Sequence, residues 1–144
     1  MKKLLVLLGF ITSLSATSQE NPVKLDFSQN ADTLIINATI EKGWHLYAAH
    51  LPNPNEGTLP TEIIISSNEN VVANGPIVED IGHTEMDDAF GIEVKYFEET
   101  AFFKQAITAK IDQVLLSGTV NYMVCNDNMC IPFDVPFTFT FHKN

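Results

Sequence analysis

Cys125 and Cys130 bracket the segment Cys-Asn-Asp-Asn-Met-Cys and are the only two cysteines in the chain. Two thiols at this spacing can close a disulfide, exchange it with another thiol, or hold a soft metal ion. In an oxidising compartment the disulfide is the expected resting state. Spacing alone does not decide whether that bridge is a staple or a reagent. Closing so short a loop removes little unfolded-state entropy, on the order of 2 kcal/mol. Structural bridges gain more by joining distant strands, and exposed short-loop bridges are the exchangeable kind. The flanking Asp127 and Asp134 disfavour a thiolate, whereas reactive cysteines usually sit near positive charge. Such a pair would react only inside a specific complex, and an inert bridge would tolerate the same surroundings.

A metal site is the third reading. The two cysteines with Met123, Met129 and a histidine form a soft donor set suited to Cu(I). Zinc fits poorly, because no second Cys/His pair has ligand spacing. His45, His50, His83 and His142 are scattered along the chain. No Ser/His/Asp order, phosphate-cradling loop or paired-carboxylate pattern is present, and no resident cofactor is implied.

The elements that must position the cysteines are short strands. Leu34, Ile36, Ala38 and Ile40 alternate with polar residues, and Phe133, Val135, Phe137, Phe139 and Phe141 alternate with Asp134, Pro136, Thr138, Thr140 and His142. Period-two alternation predicts strands with one buried face. Pro136 assigns the last strand to a sheet edge or a bulge. Further strands are predicted at Thr61–Ser66, Ile92–Phe97, Ala101–Lys110 and Val114–Val124. Turn signals recur at Asn30-Ala31-Asp32, Pro52 to Gly57, Asn68-Glu69-Asn70 and Asn74-Gly75-Pro76. No helical periodicity lasts three turns, so the pattern reads as an all-β sandwich or barrel of short strands.

The chain start has the form of a secretory signal peptide: basic Met1-Lys2-Lys3, apolar Leu4 to Ile11, then small and polar Thr12 to Ser18. Residues 1–18 are therefore expected to be a signal peptide and residues 19–144 one domain, periplasmic or secreted, with no membrane span after signal removal. The formal net charge is −10, and loss of Lys2 and Lys3 takes it to −12; every basic residue is a lysine. An acidic surface without guanidinium groups repels phosphate backbones, which excludes nucleic-acid binding.

Four segments taken together resemble the N-terminal periplasmic domain of the DsbD thiol:disulfide interchange proteins. They are Gly43-Trp44-His45-Leu46-Tyr47, Leu59-Pro60-Thr61-Glu62, Asp87 to Val94, and Gly118 to Cys125 continuing through Cys130-Ile131-Pro132. They follow the family's order across nearly the whole mature chain, and the last is the most specific. The resemblance implies an immunoglobulin-like sandwich whose Cys125 and Cys130 form a redox pair. That pair would take electrons from a membrane-embedded partner and pass them to periplasmic disulfide proteins. It implies that Asp87, Asp88, Ala89, Phe90 and Gly91 form a cap loop over the disulfide, with Phe90 as the capping aromatic, and that His45, Tyr47 and Tyr122 lie near the site. Two features depart from the family: Ala89 precedes Phe90 where some members carry two aromatics, and His45 stands where a phenol can occur. The sequence ends after the sandwich, so the expected partners are thioredoxin-like or membrane thiol:disulfide proteins supplied in trans. A non-enzymatic binding or accessory module with a structural bridge is the alternative.

Overall fold

A sheet that is apolar on one face must bury that face, and a second sheet is the simplest cover. The computed structural model, which describes residues 20–88 and 90–144, has this arrangement. Its strands are β1 (Val23–Asn30), β2 (Thr33–Ile40), β3 (His45–Tyr47), β4 (Glu62–Ile65), β5 (Val71–Glu79), β6 (His83–Asp87), β7 (Ile92–Phe97), β8 (Thr100–Ala109), β9 (Gln113–Cys125) and β10 (Cys130–His142). One sheet has the order β1-β2-β8-β5; the other runs β10-β9-β3-β7-β6, with β4 also paired to β9. The pairing is antiparallel throughout, and no helix occurs among the described residues. The fold is an immunoglobulin-like sandwich: the alternation predicts its half-buried strands, and the family resemblance its type.

The core lies between the sheets and follows the period-two pattern. Leu34, Ile36, Ala38 and Ile40 of β2 face Val114, Leu116, Val120 and Val124 of β9, all buried. Two aromatic pairs bridge the layers: Phe27 of β1 stacks on Phe137 of β10 at 4.8 Å, and Phe97 of β7 meets Phe103 of β8 edge-on at 5.7 Å. Glu79 of β5 adds a polar tie across the layers. Its carboxylate accepts from Lys95 Nζ of β7 at 2.7 Å and from the Ala49 N–H at 2.6 Å.

Each predicted strand is present, with ends within one residue except in β10, which begins at Cys130, three residues before Phe133. Pro136 lies on β10, the outer strand of its sheet. Asn30-Ala31-Asp32 makes the expected turn between β1 and β2. The Asn74-Gly75-Pro76 signal is different, because these residues lie inside β5. There the register against β8 shifts between Asn74 and Val78, so the turn residues make a bulge. The buried Gln105 side chain donates to the Asn74 carbonyl at 3.0 Å, pairing a group the bulge leaves off the ladder. The expected signal peptide lies outside the described residues, among which no helix is long and apolar enough to cross a membrane.

Candidate functional site

The β9–β10 hairpin keeps an unbroken register from His142↔Gln113 to Cys130↔Cys125. The two cysteines are thus the last rung of a long ladder, with Cα atoms 4.1 Å apart and their sulfurs joined in a disulfide. The turn beyond them is self-contained. Asn126 Oδ1 accepts from the N–H groups of Asn128 at 2.9 Å and Met129 at 3.0 Å, and the Asn126 N–H donates to the Met129 carbonyl at 2.9 Å. This is the local Asx geometry that asparagine supports. Backbone pairing and the Asn126 side chain hold the sulfurs side by side, independently of the S–S bond.

The two cysteines differ in access: Cys125 is 2% exposed, whereas Cys130 is exposed. Alternation along β9 turns Tyr122 and Val124 between the sheets and Cys125 to the opposite face. Cys125 is therefore covered by neighbours on the outer face and not by the core. Its cross-strand partner is His45 of β3, and directly opposed residues share a face. Tyr47, two residues on, shares that face and pairs with Tyr96 of β7. The His45 ring lies 4.8 Å from the Tyr96 ring and 5.2 Å from the Tyr47 ring.

A second turn lies beside this row. Asp87 ends β6; its Oδ1 accepts from the Phe90 N–H at 3.1 Å, and its carbonyl accepts from the Gly91 N–H at 2.7 Å. Gly91 has φ +67°, the left-handed conformation that closes such a turn. The other Asp87 oxygen accepts from the Tyr47 hydroxyl at 3.3 Å, which ties the turn to β3. Phe90 is 40% exposed, so it is not a core side chain. It rests against Gly57: a methyl added there would come 3.1 Å from Phe90 Cγ and 2.8 Å from Ile92 Cδ1.

Together these groups line an open cleft of about 570 Å³. It is lined by Cys125, Cys130, His45, Tyr47, Asp87, Asp88 and Phe90, all named from the sequence. Glu85, Met86, Asn126 and Asp127 complete the lining. Ala89 lies outside the described residues. Tyr122 does not line the cavity: it points to the other face of β9, where Asn21 Nδ2 donates to its hydroxyl at 2.6 Å. Met123 and Met129 do not line it either, so the structure gathers one histidine with the cysteines but not the two methionines of the soft-metal reading. Among the described residues no cluster of three or more His, Cys, Asp or Glu is arranged to hold a metal. Sequence reasoning missed Gly57 and Glu85. Gly57 could have been suspected as the last residue of the Pro52 to Gly57 turn; nothing local marks Glu85.

The electrostatics are one-sided. Glu85, Asp87, Asp88 and Asp127 line the cavity, and no lysine does. Burial lowers the His45 pKa from 6.5, opposed by the negative charges of Asp87, Glu98, Glu85 and Asp127, so the imidazole is mainly neutral at pH 7. Burial, then the Asp87 carboxylate, pushes the Tyr47 phenol up, so it keeps its proton. Tyr47 gives that single proton to Asp87, so its oxygen accepts from His45 Nε2 at 3.3 Å. This fixes the neutral tautomer: Nε2 carries the hydrogen and Nδ1 the lone pair.

Fold and site define a class: an antiparallel sandwich carrying a disulfide at the tip of a hairpin, in a cleft bordered by a second turn. A family model for the N-terminal domain of the thiol:disulfide interchange protein DsbD matches residues 13–142. The chain belongs to that family. Among solved structures it is similar to the reduced DsbD N-terminal domain of Neisseria meningitidis, at TM-score 0.57 and 15% identity, covering 85% of this chain and 91% of that one. It is also similar to a structure of the complex between the DsbD and PilB N-terminal domains of the same organism, at TM-score 0.60 and 14% identity, covering 84% and 88%. The N-terminal periplasmic domain of ScsB from Proteus mirabilis is a further match, at TM-score 0.53 and 17% identity, covering 81% of this chain and 44% of that one. No curated protein matches the chain significantly. At these identities the likeness to solved structures establishes the fold, and the family model supplies the membership.

Proposed function

We propose that this protein is an extracytoplasmic thiol:disulfide interchange domain that relays electrons through the Cys125–Cys130 pair to client disulfide proteins. The observation that carries the reading is the asymmetry of a bridge the fold does not need for its geometry. The ladder and the Asn126 turn already hold the two sulfurs together, with one cysteine exposed and its partner covered. A partner thiolate bonds to Cys130 Sγ, the S–S bond breaks, and Cys125 Sγ leaves with the electron pair. Oxidation retraces the steps, with Cys125 displacing the partner from Cys130. Family membership supports the same chemistry, and the complex with a PilB N-terminal domain supports a protein partner. Phe90 and the turn from Asp87 to Gly91 act as the cap that keeps small thiols from the bridge. The leader at residues 1–18 delivers the domain to the oxidising side of the membrane.

Equilibration with a glutathione redox buffer, followed by mass spectrometry, measures the reduction potential. A relay pair is expected to lie above about −300 mV. A lower value, or a bridge that never equilibrates in the folded protein, assigns it a structural role.

A further inference from the structure

We propose that His45 is the proton exchanger of the disulfide site, accepting the Cys125 proton when that sulfur attacks and returning a proton to the sulfur that leaves. The inference rests on the redox reading above and adds a residue and a pH dependence to it. His45 is the cross-strand partner of Cys125, and both line the same cavity. The other three histidines are elsewhere: the His50 ring pairs with the Ile77 carbonyl at 2.7 Å, His83 is exposed on β6, and His142 ends β10 at the far end of the hairpin.

Acidic surroundings create the need. Glu85, Asp87, Asp88 and Asp127 raise the energy of a thiolate in the cavity, so a free Cys125 would be held as the thiol. A neutral base beside it removes that obstacle, because a proton moved from sulfur to imidazole leaves the net charge of the cavity unchanged. The groups facing His45 suit the task. Tyr47 of β3 fixes the tautomer, and the Tyr96 ring of β7, itself 5.7 Å from the His83 ring of β6, packs on the imidazole. Asp87 and Glu85 of β6, Glu98 after β7, and Asp127 in the hairpin turn all favour the imidazolium once it forms. Burial returns the ring to the neutral state.

In the electron-donating half of the cycle, Cys130 gives up its proton and its Sγ bonds to one sulfur of a client disulfide; the client S–S bond breaks, and the other client sulfur leaves with the electron pair and takes up the proton that Cys130 lost. Cys125 S–H then gives its proton to His45 Nδ1. Cys125 Sγ bonds to Cys130 Sγ, the Cys130–client bond breaks, and the client sulfur departs with the electron pair. The imidazolium returns its proton to that sulfur. One bond forms as one breaks, the client disulfide becomes a dithiol, and the domain is oxidised.

The test uses the glutathione adduct of Cys130 and follows its release by Cys125 between about pH 5 and 9, the window in which histidine titrates. In the unaltered protein the rate should show an inflection below pH 6.5, on the acid side of the ordinary imidazole value. His45→Gln should remove the inflection and slow release at neutral pH by about 100-fold, the lower range of general acid–base effects, with partial rescue by added imidazole. A His45→Gln profile that superimposes on the unaltered one overturns the assignment while the redox reading stands. Failure to form or release any adduct in the unaltered protein overturns both. Should His45→Gln not fold, NMR titration of the unaltered protein decides. The His45 ring should titrate differently in the oxidised and reduced forms, and identical curves overturn the proposal.

Discussion

The Tyr47 hydroxyl donates to Asp87 Oδ2 at 3.3 Å, and the other oxygen of the same carboxylate accepts from the Phe90 N–H at 3.1 Å. One side chain thus joins the strand beside the disulfide to the turn that lines the same cleft.

Phe90 lines the cleft and is 40% exposed, outside the core, and it is the proposed cap. Phe90→Ala should speed reduction of the bridge by a small thiol severalfold while lowering stability by only about 1 kcal/mol, well under the roughly 3–5 kcal/mol of a core phenylalanine truncation. Phe103→Ala, at a position 1% exposed, is the contrasting core substitution. Thiol-reduction kinetics beside urea denaturation of both variants check this. Equal stability losses would return Phe90 to a packing role.

The exposure difference between the cysteines predicts the order of attack. With Cys125→Ser, the exposed Cys130 should form a persistent mixed disulfide with a thioredoxin-like partner, because the resolving thiol is gone. With Cys130→Ser, the remaining Cys125, 2% exposed in the native fold, should trap poorly. Non-reducing electrophoresis separates the two, and efficient trapping by Cys130→Ser alone reverses the order.

Glu79 has a side chain only 3% exposed, and it serves Lys95 and the Ala49 N–H at once. Glu79→Ala leaves an ammonium and a backbone donor without their acceptor and should destabilise the fold by about 2–3 kcal/mol, as for lost hydrogen bonds to a charged group. Ala49 follows the strand that carries His45 and Tyr47, so the same change should alter the His45 ring shifts. A denaturation midpoint unchanged from that of the unaltered protein would refute this.

Tyr96 has its pKa pushed up to about 12, first by burial and then by its hydrogen bond to Glu85. The folded state therefore holds the phenolic proton more tightly than the unfolded chain does. The sign follows: this contribution to stability is complete below pH 10, the ordinary tyrosine value, and is lost as pH rises towards about 12. Phenolate absorbance should show Tyr96 titrating late. In Tyr96→Phe, unfolding midpoints compared across the same range should fall less steeply with pH.

The sandwich was legible because its alternation is strict where one face is buried, as at Leu34–Ile40 and Phe133–Phe141. β3 and β6 were not, because three and five residues are too few to show a period. β5 was obscured by Asn74-Gly75-Pro76, where turn residues serve a bulge whose displaced carbonyl is met by Gln105, distant in sequence. At the site, the cysteine pair could be named from local sequence, and the segment from Asp87 to Gly91 only from the family resemblance. Tyr122 could not be separated from the cavity residues until strand parity placed it on the opposite face. The pairing of His45 with Cys125 and the support of Phe90 by Gly57 are long-range relationships, invisible without the sheet order.

β10 is an outer strand, and it carries Pro132 and Pro136 on its exposed side. A proline fits a strand only where its missing N–H would have pointed away from the ladder, so the free edge beside the cysteines lacks two of its donors. A visiting chain cannot extend the sheet there by adding a strand, a common route to tenacious association. Contact with the hairpin must instead be end-on, through side chains and the sulfurs themselves. Such a footprint is small, and under the proposed relay it would come apart readily once the mixed disulfide is resolved.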